Sequence, residues 1–166
     1  MNGISKKEIE LISKLEFDKR YFFASTDVDK IAKNKTQRYN LIKNLLKKKR
    51  IIKLNQHKYY LVPIRAKSGS WAEDEFTLVD EILGSKDYLI GGWAAANYYH
   101  LTDQIPMRTD VYTTRRQGKM NLLSSKLVFH RTTQERIKKA LIKTQAGHPF
   151  RIVSKRDAKK WMKSRE

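Results

Sequence analysis

The sequence predicts an α+β protein of two domains. Residues 1–65 carry, in order, the patterns of a helix, a short strand, a second short helix, a third helix and a two-stranded hairpin. This is the element order of a winged helix-turn-helix, in which the third helix enters the major groove of DNA. Residues 72–166 mix short strand and helix patterns, which is typical of a small α+β unit. Small and polar residues at 66–71 separate the two domains and indicate a linker.

The first elements are marked by capping signals. Ser5-Lys6-Lys7-Glu8 has the spacing of a capping box, so a helix is expected over residues 6–16, with Ile9, Ile12 and Leu15 on its apolar face. The aromatic run 21–23 predicts a brief strand. Ser25 or Thr26 can then cap a second helix of about two turns, in which Val28 and Ile31 face inward.

The third helix is predicted over Thr36–Lys49, with Thr36 as its cap. Leu41, Ile42, Leu45 and Leu46 form one apolar stripe at 100° per residue. No acidic residue stands on the opposite face, where a solvated helix usually mixes both signs of charge. That face and its edges carry Thr36, Gln37, Tyr39, Asn40, Lys43, Asn44 and Lys47. Amides can bind adenine edges and lysines neutralise phosphate, so this pattern predicts a DNA recognition helix.

The segment 50–63 completes the predicted DNA-binding domain. Ile51–Leu54 and Lys58–Val62 have strand patterns around the turn 55–57, which is the arrangement of a wing. For direct base contact we predict Gln37, Arg38, Asn40 and Asn44, although the helical wheel turns Arg38 toward the apolar stripe. For the DNA backbone we predict Thr36, Tyr39, Lys43, Lys47, Lys53, His57 and Lys58. A small three-helix core whose lysines are merely solvated is the alternative.

The charge balance also indicates a polyanionic partner. There are 36 Lys and Arg against 17 Asp and Glu, a formal net charge of +19, which suits nucleic acid or an anionic membrane surface. Residues 1–65 have a net charge of +11, residues 66–107 of −5 and residues 108–166 of +13. No apolar run is long enough to cross a membrane, the N-terminus lacks the apolar segment of a signal peptide, and cysteine is absent. We therefore expect a cytoplasmic protein without a membrane partner.

In the second half, Ser70–Glu73 has the spacing of another capping box. It predicts a helix with Phe76, Val79, Ile82 and Leu83 inward and Gly84 at its end. The other expected elements are strands at 88–90, 110–114, 127–130 and 150–153, helices at 93–99 and 134–143, and a last helix over 155–163 capped by Ser154. The helices at 134–143 and 155–163 are rich in Lys and Arg, which suggests additional phosphate or RNA contacts.

No catalytic or metal-binding pattern emerges from the sequence. The histidines 57, 100, 130 and 148 are far apart and form no metal-ligand spacing. Asp110 followed by Gln117-Gly118-Lys119 loosely matches the metal-dependent nuclease pattern, but the glycine and flanking arginines favour a loop, and a second carboxylate is missing. We therefore predict a protein that is not an enzyme and has no catalytic residue, metal or cofactor.

One stretch resembles a known family. Residues 88–106 read YLIGGWAAANYYHLTDQIP, and Val111–Thr114 with two arginines follow. This run resembles a conserved block of the AbiEi-like antitoxins of type IV toxin–antitoxin systems of abortive infection. The resemblance implies a winged-helix repressor that binds its own operator as double-stranded DNA. It also implies a C-terminal half that counteracts a nucleotidyltransferase-type toxin without a stable complex.

His100 stands where that family has a helix-ending glycine, and Lys49 occupies a similar place after the third helix. Both residues are therefore expected in a left-handed conformation. Two alternative functions remain open. The protein could be a stand-alone winged-helix regulator with no toxin partner, or a basic RNA-binding protein.

Overall fold

The computed structural model describes residues 3–64, 73–84 and 86–165. The chain divides into two compact units, Met1–Trp71 and Ala72–Glu166. The expected linker at 66–71 and the capping serine at position 70 lie outside the described residues. In the second unit the first described helix begins at Glu75 rather than before Glu73, because Asp74 caps it by accepting a hydrogen bond from the Thr77 N–H at 2.8 Å.

The first unit combines two α-helices, one 3₁₀ helix and a three-stranded sheet among its described residues. Its elements are α1 (Lys6–Phe17), β1 (Phe22–Ala24), the 3₁₀ helix Ser25–Lys30, α2 (Lys35–Lys47), β2 (Ile51–Lys53) and β3 (Lys58–Leu61). β3 lies in the middle of the sheet and pairs antiparallel with both β1 and β2. The two-stranded hairpin predicted after α2 is therefore present, and β1 adds a third strand to it.

The core of this unit forms where the helices meet the sheet. It is lined by Leu11, Ile12, Leu15, Phe23, Val28, Leu41, Ile42, Leu45, Ile51, Tyr59 and Leu61. The predicted capping box of α1 is confirmed, because the Ser5 hydroxyl and the Glu8 carboxylate each bind the other residue's backbone N–H. The placement of Ile9 on the apolar face was wrong: it is 52% exposed, and Leu11 takes the inward position.

α2 begins and ends earlier than predicted. Asn34, not Thr36, is its cap, because the Asn34 Oδ1 accepts from the Gln37 N–H at 2.8 Å. Thr36 therefore lies inside the first turn. The helix ends at Lys47, and Lys49 has a φ of 55° while the N–H groups of Lys49 and Arg50 bind carbonyls of the last turn. The left-handed conformation predicted for Lys49 is confirmed.

The second unit is built on a six-stranded mixed sheet. Its elements are α3 (Glu75–Leu83), β4 (Tyr88–Gly91), α4 (Gly92–Tyr98), β5 (Thr109–Thr113), β6 (Gly118–Leu122), β7 (Ser125–Arg131), α5 (Gln134–Lys138), β8 (Leu141–Gln145), β9 (His148–Ile152) and α6 (Lys155–Lys163). The strand order is β6-β7-β5-β4-β9-β8. The pairs β5–β7 and β4–β9 are parallel, and the other three are antiparallel. The predicted α+β class is confirmed.

The helix α3 covers one face of this sheet. Phe76, Val79, Ile82 and Leu83 are buried as predicted, and the Phe76 ring lies 4.8 Å from the Phe150 ring. The helices α5 and α6 lie beside the opposite face, which includes Leu89, Gly91 and Tyr112. Arg136 of α5 lies over the Tyr112 ring, and residues of α5 and α6 line a pocket together with Leu89 and Gly91.

Two further predictions in this unit were wrong. The basic helix expected over 134–143 is only five residues long, because its last part, Leu141–Gln145, forms the edge strand β8. The segment around Gly118, interpreted as a loop, begins strand β6, where the φ of 125° at Gly118 is one that glycine adopts without strain. The left-handed conformation predicted for His100 is confirmed by its φ of 54°. None of the helices in the described residues is long and apolar enough to cross a membrane.

Candidate nucleic-acid interface

The exposed face of α2 presents polar and basic side chains without a carboxylate on the helix itself. Thr36, Tyr39, Asn40, Lys43, Asn44 and Lys47 are all exposed. Asn40 and Asn44 are one helical turn apart and form one row on the helix surface. Lys43 and Lys47 are also one turn apart and form a neighbouring row. Five of the predicted contact residues, including both asparagines, therefore share one solvent-facing surface with Tyr39, which is 64% exposed.

A groove of about 570 Å³ runs between α2 and the start of α1. On the α2 side it is lined by Asn34, Thr36, Gln37, Asn40 and Asn44. On the α1 side it is lined by Ser5, Lys6 and Lys7, which the sequence did not single out as contact residues. A signal for them existed, because two cations in the first turn of a helix oppose its dipole and are unfavourable unless they meet an anion.

A second groove of about 400 Å³ lies on the other side of α2, toward the hairpin. Lys35, Tyr39 and Lys43 of α2 line it together with Lys53 of β2. The Lys43 ammonium lies 5.9 Å from the centre of the Tyr39 ring, which places a cation beside an exposed aromatic surface. The hairpin thus contributes positive charge next to α2 through Lys53.

Two of the predicted base-contact residues make bonds within the protein. The Arg38 guanidinium binds both carboxylate oxygens of Asp29 in the 3₁₀ helix, at 2.9 and 2.6 Å, and its side chain is only 23% exposed. The Gln37 Oε1 accepts from the Lys33 N–H at 2.8 Å. Arg38 therefore fastens α2 to the preceding helix, in agreement with its position near the apolar stripe. Gln37 stabilises the first turn through its carbonyl oxygen and keeps its amide nitrogen as a donor.

The tip of the hairpin is shaped by Asn55. Its Oδ1 accepts from the N–H groups of His57 and Lys58, both at 2.9 Å, and so fixes the tight turn between β2 and β3. His57 is exposed at this tip, whereas Lys58 is half-buried. The His57 carbonyl accepts from the Ser25 N–H at 3.1 Å, which anchors the tip to the start of the 3₁₀ helix.

An ion pair fixes the position of α1 against the end of α2. The Lys48 ammonium binds the Glu8 carboxylate at 2.6 Å and the Gly3 carbonyl at 2.8 Å, and the Glu8 side chain is 1% exposed. Burial raises the pKa of Glu8, but the hydrogen bonds from Lys48 and Ser5 outweigh it, so the pKa lies below its ordinary value. The carboxylate is therefore held in its charged form, and it orients the two helices that border the first groove.

In the second unit, two histidines bind buried carboxylates, which their sequence spacing did not indicate. The His130 Nε2 lies 2.8 Å from the Asp110 Oδ1, and the His148 Nε2 lies 3.0 Å from the Asp80 Oδ2. Asp80 also accepts from the Tyr88 hydroxyl at 2.6 Å, and burial together with this carboxylate raises the pKa of Tyr88. Within the described part of the chain, no three His, Cys, Asp or Glu side chains come together as metal ligands.

The last helix presents a basic surface in the second unit. Ser154 caps α6, as predicted, and Ala158 is its buried residue. The exposed cations of this helix are Lys155, Arg156, Lys159, Lys160 and Lys163. This surface adds a second positively charged region to that of the first unit.

Comparison with known proteins finds similarity to solved structures and none in sequence. No family model matches the sequence, and no curated protein matches it. A crystal structure of the Rv2827c protein from Mycobacterium tuberculosis is similar, with a TM-score of 0.52 and 14% sequence identity. The similarity covers 78% of this chain and 46% of that protein, so the chain spans less than half of its length. At this level of identity, the similarity concerns the fold alone.

Proposed function

We propose that the protein is a transcriptional regulator that binds double-stranded operator DNA through its first unit. The observation that carries this proposal is the exposed face of α2, which offers two amides, a hydroxyl, an aromatic ring and lysines. Asn side chains can bind adenine N6 and N7 in the major groove, while lysines bind phosphates. The cations Lys6, Lys7 and Lys53 in the flanking grooves extend the phosphate-binding surface on both sides of the helix.

The first unit is proposed to be a winged helix-turn-helix. Support comes from the order of its elements and from the sheet order β1-β3-β2, in which the hairpin follows directly after α2. In this proposal α2 enters the major groove, and the hairpin tip with His57 and Lys58 approaches the backbone or the minor groove. Arg38 positions α2 through Asp29 instead of contacting a base.

Modified operator DNA tests which groove α2 occupies. Replacing adenine by 7-deazaadenine removes the N7 acceptor without altering the minor groove. We expect such substitutions at one or two adenines to weaken binding of the wild-type protein. If Asn40 or Asn44 contacts a given adenine, replacing that adenine by 7-deazaadenine should not weaken DNA binding further in the variant whose asparagine has been changed to alanine. Uniform tolerance of 7-deazaadenine throughout the operator would contradict a major-groove role for these amides.

We also propose, from the resemblance of residues 88–106 to AbiEi-like antitoxins, that the protein represses its own operon and counteracts a nucleotidyltransferase-type toxin. A variant that cannot bind DNA separates the two roles. The double variant Lys43→Ala, Asn44→Ala should no longer repress a reporter gene placed behind the upstream DNA. It should still rescue the growth of cells that express the toxin encoded by an adjacent gene. If the wild-type protein does not rescue growth, the result would favour a stand-alone regulator without a toxin partner. Tighter binding to structured RNA than to the upstream DNA would favour an RNA-binding protein.

A further inference from the structure

A small pocket in the second unit combines aromatic rings, cations and a buried carboxylate. It has a volume of about 300 Å³, at the lower end of the usual range for ligand pockets. Trp93, Tyr112, His130 and Trp161 supply its rings, and Arg108 and Arg165 its cations, with Asp110 in its wall. All these residues belong to the second unit, and none of them is on α2.

The carboxylate of Asp110 is held on one side only. Its Oδ1 lies 2.8 Å from the His130 Nε2 and 3.4 Å from the Arg108 Nε. The Asp110 side chain is 4% exposed. Within the described residues, Oδ2 has no hydrogen-bond partner. Among the described residues, the buried side-chain atoms without a partner are Glu8 Oε1 and Arg50 Nε, so Oδ2 of Asp110 is accessible to solvent. Because Asp110 lines the pocket, a ligand there can donate a hydrogen bond to this oxygen.

The backbone makes room for this carboxylate. Gly92 has a φ of 63°, and a Cβ at this position would lie 2.6 Å from Oδ2 of Asp110. A side chain at position 92 would therefore displace the carboxylate that the pocket presents. Glycine also permits this φ without strain, so the Asp110 carboxylate accounts for glycine at position 92, whereas a Cβ at Gly91 would instead lie 2.8 Å from the Tyr112 ring.

The aromatic rings of the pocket pack against one another and against nearby arginines. Trp93 and Trp161 meet edge to face, with ring centres 5.3 Å apart. His130 stacks on Tyr112 with ring centres 5.0 Å apart, and the Arg136 guanidinium covers Tyr112 at 4.3 Å. The Arg165 guanidinium lies 5.5 Å from the centre of the Trp161 ring. Aromatic side chains beside arginines are the surface on which nucleobases stack.

We propose that this pocket binds a nucleotide whose base carries an exocyclic amino group. The base lies against the tryptophans, its amino group donates to Oδ2 of Asp110, and Arg108 and Arg165 bind the phosphate. The nucleotide is either free or the unpaired end of a strand. A strand could continue into the adjoining pocket of about 390 Å³, which shares Trp161 and contains Arg136, Lys139 and Lys160. The proposal does not depend on DNA binding by α2.

Titration of the full-length protein with mononucleotides tests the proposal, with binding followed by calorimetry and tryptophan fluorescence. AMP, GMP and CMP should bind more tightly than UMP, whose only base donor is its ring N3–H, and at least tenfold more tightly than ribose 5-phosphate, which has no base. Equal affinity for all five compounds would overturn the proposal. A four-nucleotide strand that binds at least tenfold more tightly than its mononucleotide would identify a strand as the source, whereas equal affinity would identify the free nucleotide.

Two variants assign the contacts. Asp110→Asn should reduce the preference for AMP over UMP at least fivefold, provided that its thermal unfolding remains cooperative. Arg108→Gln should lower the affinity for AMP at least fivefold but leave the affinity for adenosine unchanged. Lys119→Gln is the matched control, because it removes one exposed charge from the same sheet outside the pocket. If Asp110→Asn does not fold, the comparison of Arg108→Gln with Lys119→Gln decides: identical affinities for AMP would overturn the proposal.

Discussion

At the scale of single residues, Asn44 and Lys43 are neighbours on α2 with different expected roles. Asn44→Ala should cost about 1–3 kcal/mol of binding free energy at one base position and make the protein indifferent to the base there. Lys43→Ala should weaken binding to every sequence alike, because a phosphate contact carries no sequence information. Anisotropy titrations with single-base operator variants measure both effects, and Lys14→Ala, which removes an exposed cation from α1, is the control. Loss of base preference in Lys43→Ala would show that these roles are assigned wrongly.

The ion pair between Glu8 and Lys48 makes a second residue-scale prediction, which concerns stability. Glu8→Gln leaves the Lys48 ammonium without its buried partner and should lower the free energy of unfolding by about 3 kcal/mol at neutral pH. Arg20→Gln, which breaks the more exposed pair with Asp27, should cost less than about 1 kcal/mol and is the control. Urea denaturation of the three proteins measures the difference.

The same pair makes stability depend on pH. Because the pKa of Glu8 is lower in the folded state than in the unfolded state, its contribution is fully present above the unfolded pKa, about 4.3. It is lost as the pH falls through the lower, folded pKa. The difference in unfolding free energy between the wild type and Glu8→Gln should therefore be constant from about pH 5 to 7 and shrink below about pH 4. A constant difference down to about pH 3 would contradict the lowered pKa.

At the scale of elements, the end of α2 carries a conformational strain that glycine relieves. Lys49 has a φ of 55°, and a left-handed conformation costs a non-glycine residue roughly 1 kcal/mol. Lys49→Gly should therefore raise the free energy of unfolding by roughly this amount. Lys43→Gly, inside the helix, should lower it by about 1 kcal/mol. Thermal unfolding of both variants measures the opposite signs, and destabilisation by both would contradict the Lys49 prediction.

Element boundaries show how far local sequence signals extend. The capping box at Ser5, the apolar stripe of α2 and the hairpin around Asn55 are short-range patterns, and they predicted α1, α2, β2 and β3 well. The edge strand β8 was misread as helix because all five of its residues are exposed, so no alternation of buried and exposed residues marks it. The caps of α2 and α3 were misplaced because several Ser, Thr, Asn and Asp residues compete before each helix.

Contacts between distant segments could not be predicted. The ion pair of Arg38 with Asp29 crosses a turn, and the pocket around Asp110 joins residues from β5, β7 and α6. Sequence spacing indicated the polarity of α2, because one helix carries it, but it could not show that Lys6 and Lys7 line the same groove. The exposed polar and basic face of α2 was therefore foreseen, whereas the pocket of the second unit was not.

At the scale of the whole molecule, the net charge of +19 is divided between two units, and both have exposed basic helices. Deleting α6 would remove the Trp161 ring from its contact with Trp93, so substitution is the better test of its charge. Replacing Lys155, Arg156, Lys159 and Lys163 by Gln should weaken binding to all duplexes alike. The slope of log affinity against log salt should become shallower by roughly 0.9 for each phosphate that the helix no longer neutralises. An unchanged slope would confine DNA binding to the first unit.

The most direct test of the central claim is fluorescence anisotropy with the protein's own upstream DNA and a scrambled duplex of the same composition, each at about 50 and 200 mM salt. A sequence-reading regulator should bind the upstream duplex more tightly at both salt concentrations, because base contacts remain when phosphate contacts weaken. Equal affinity for the two duplexes, falling together as the salt is raised, would contradict sequence recognition by α2 and leave only the attraction of a basic protein for a polyanion.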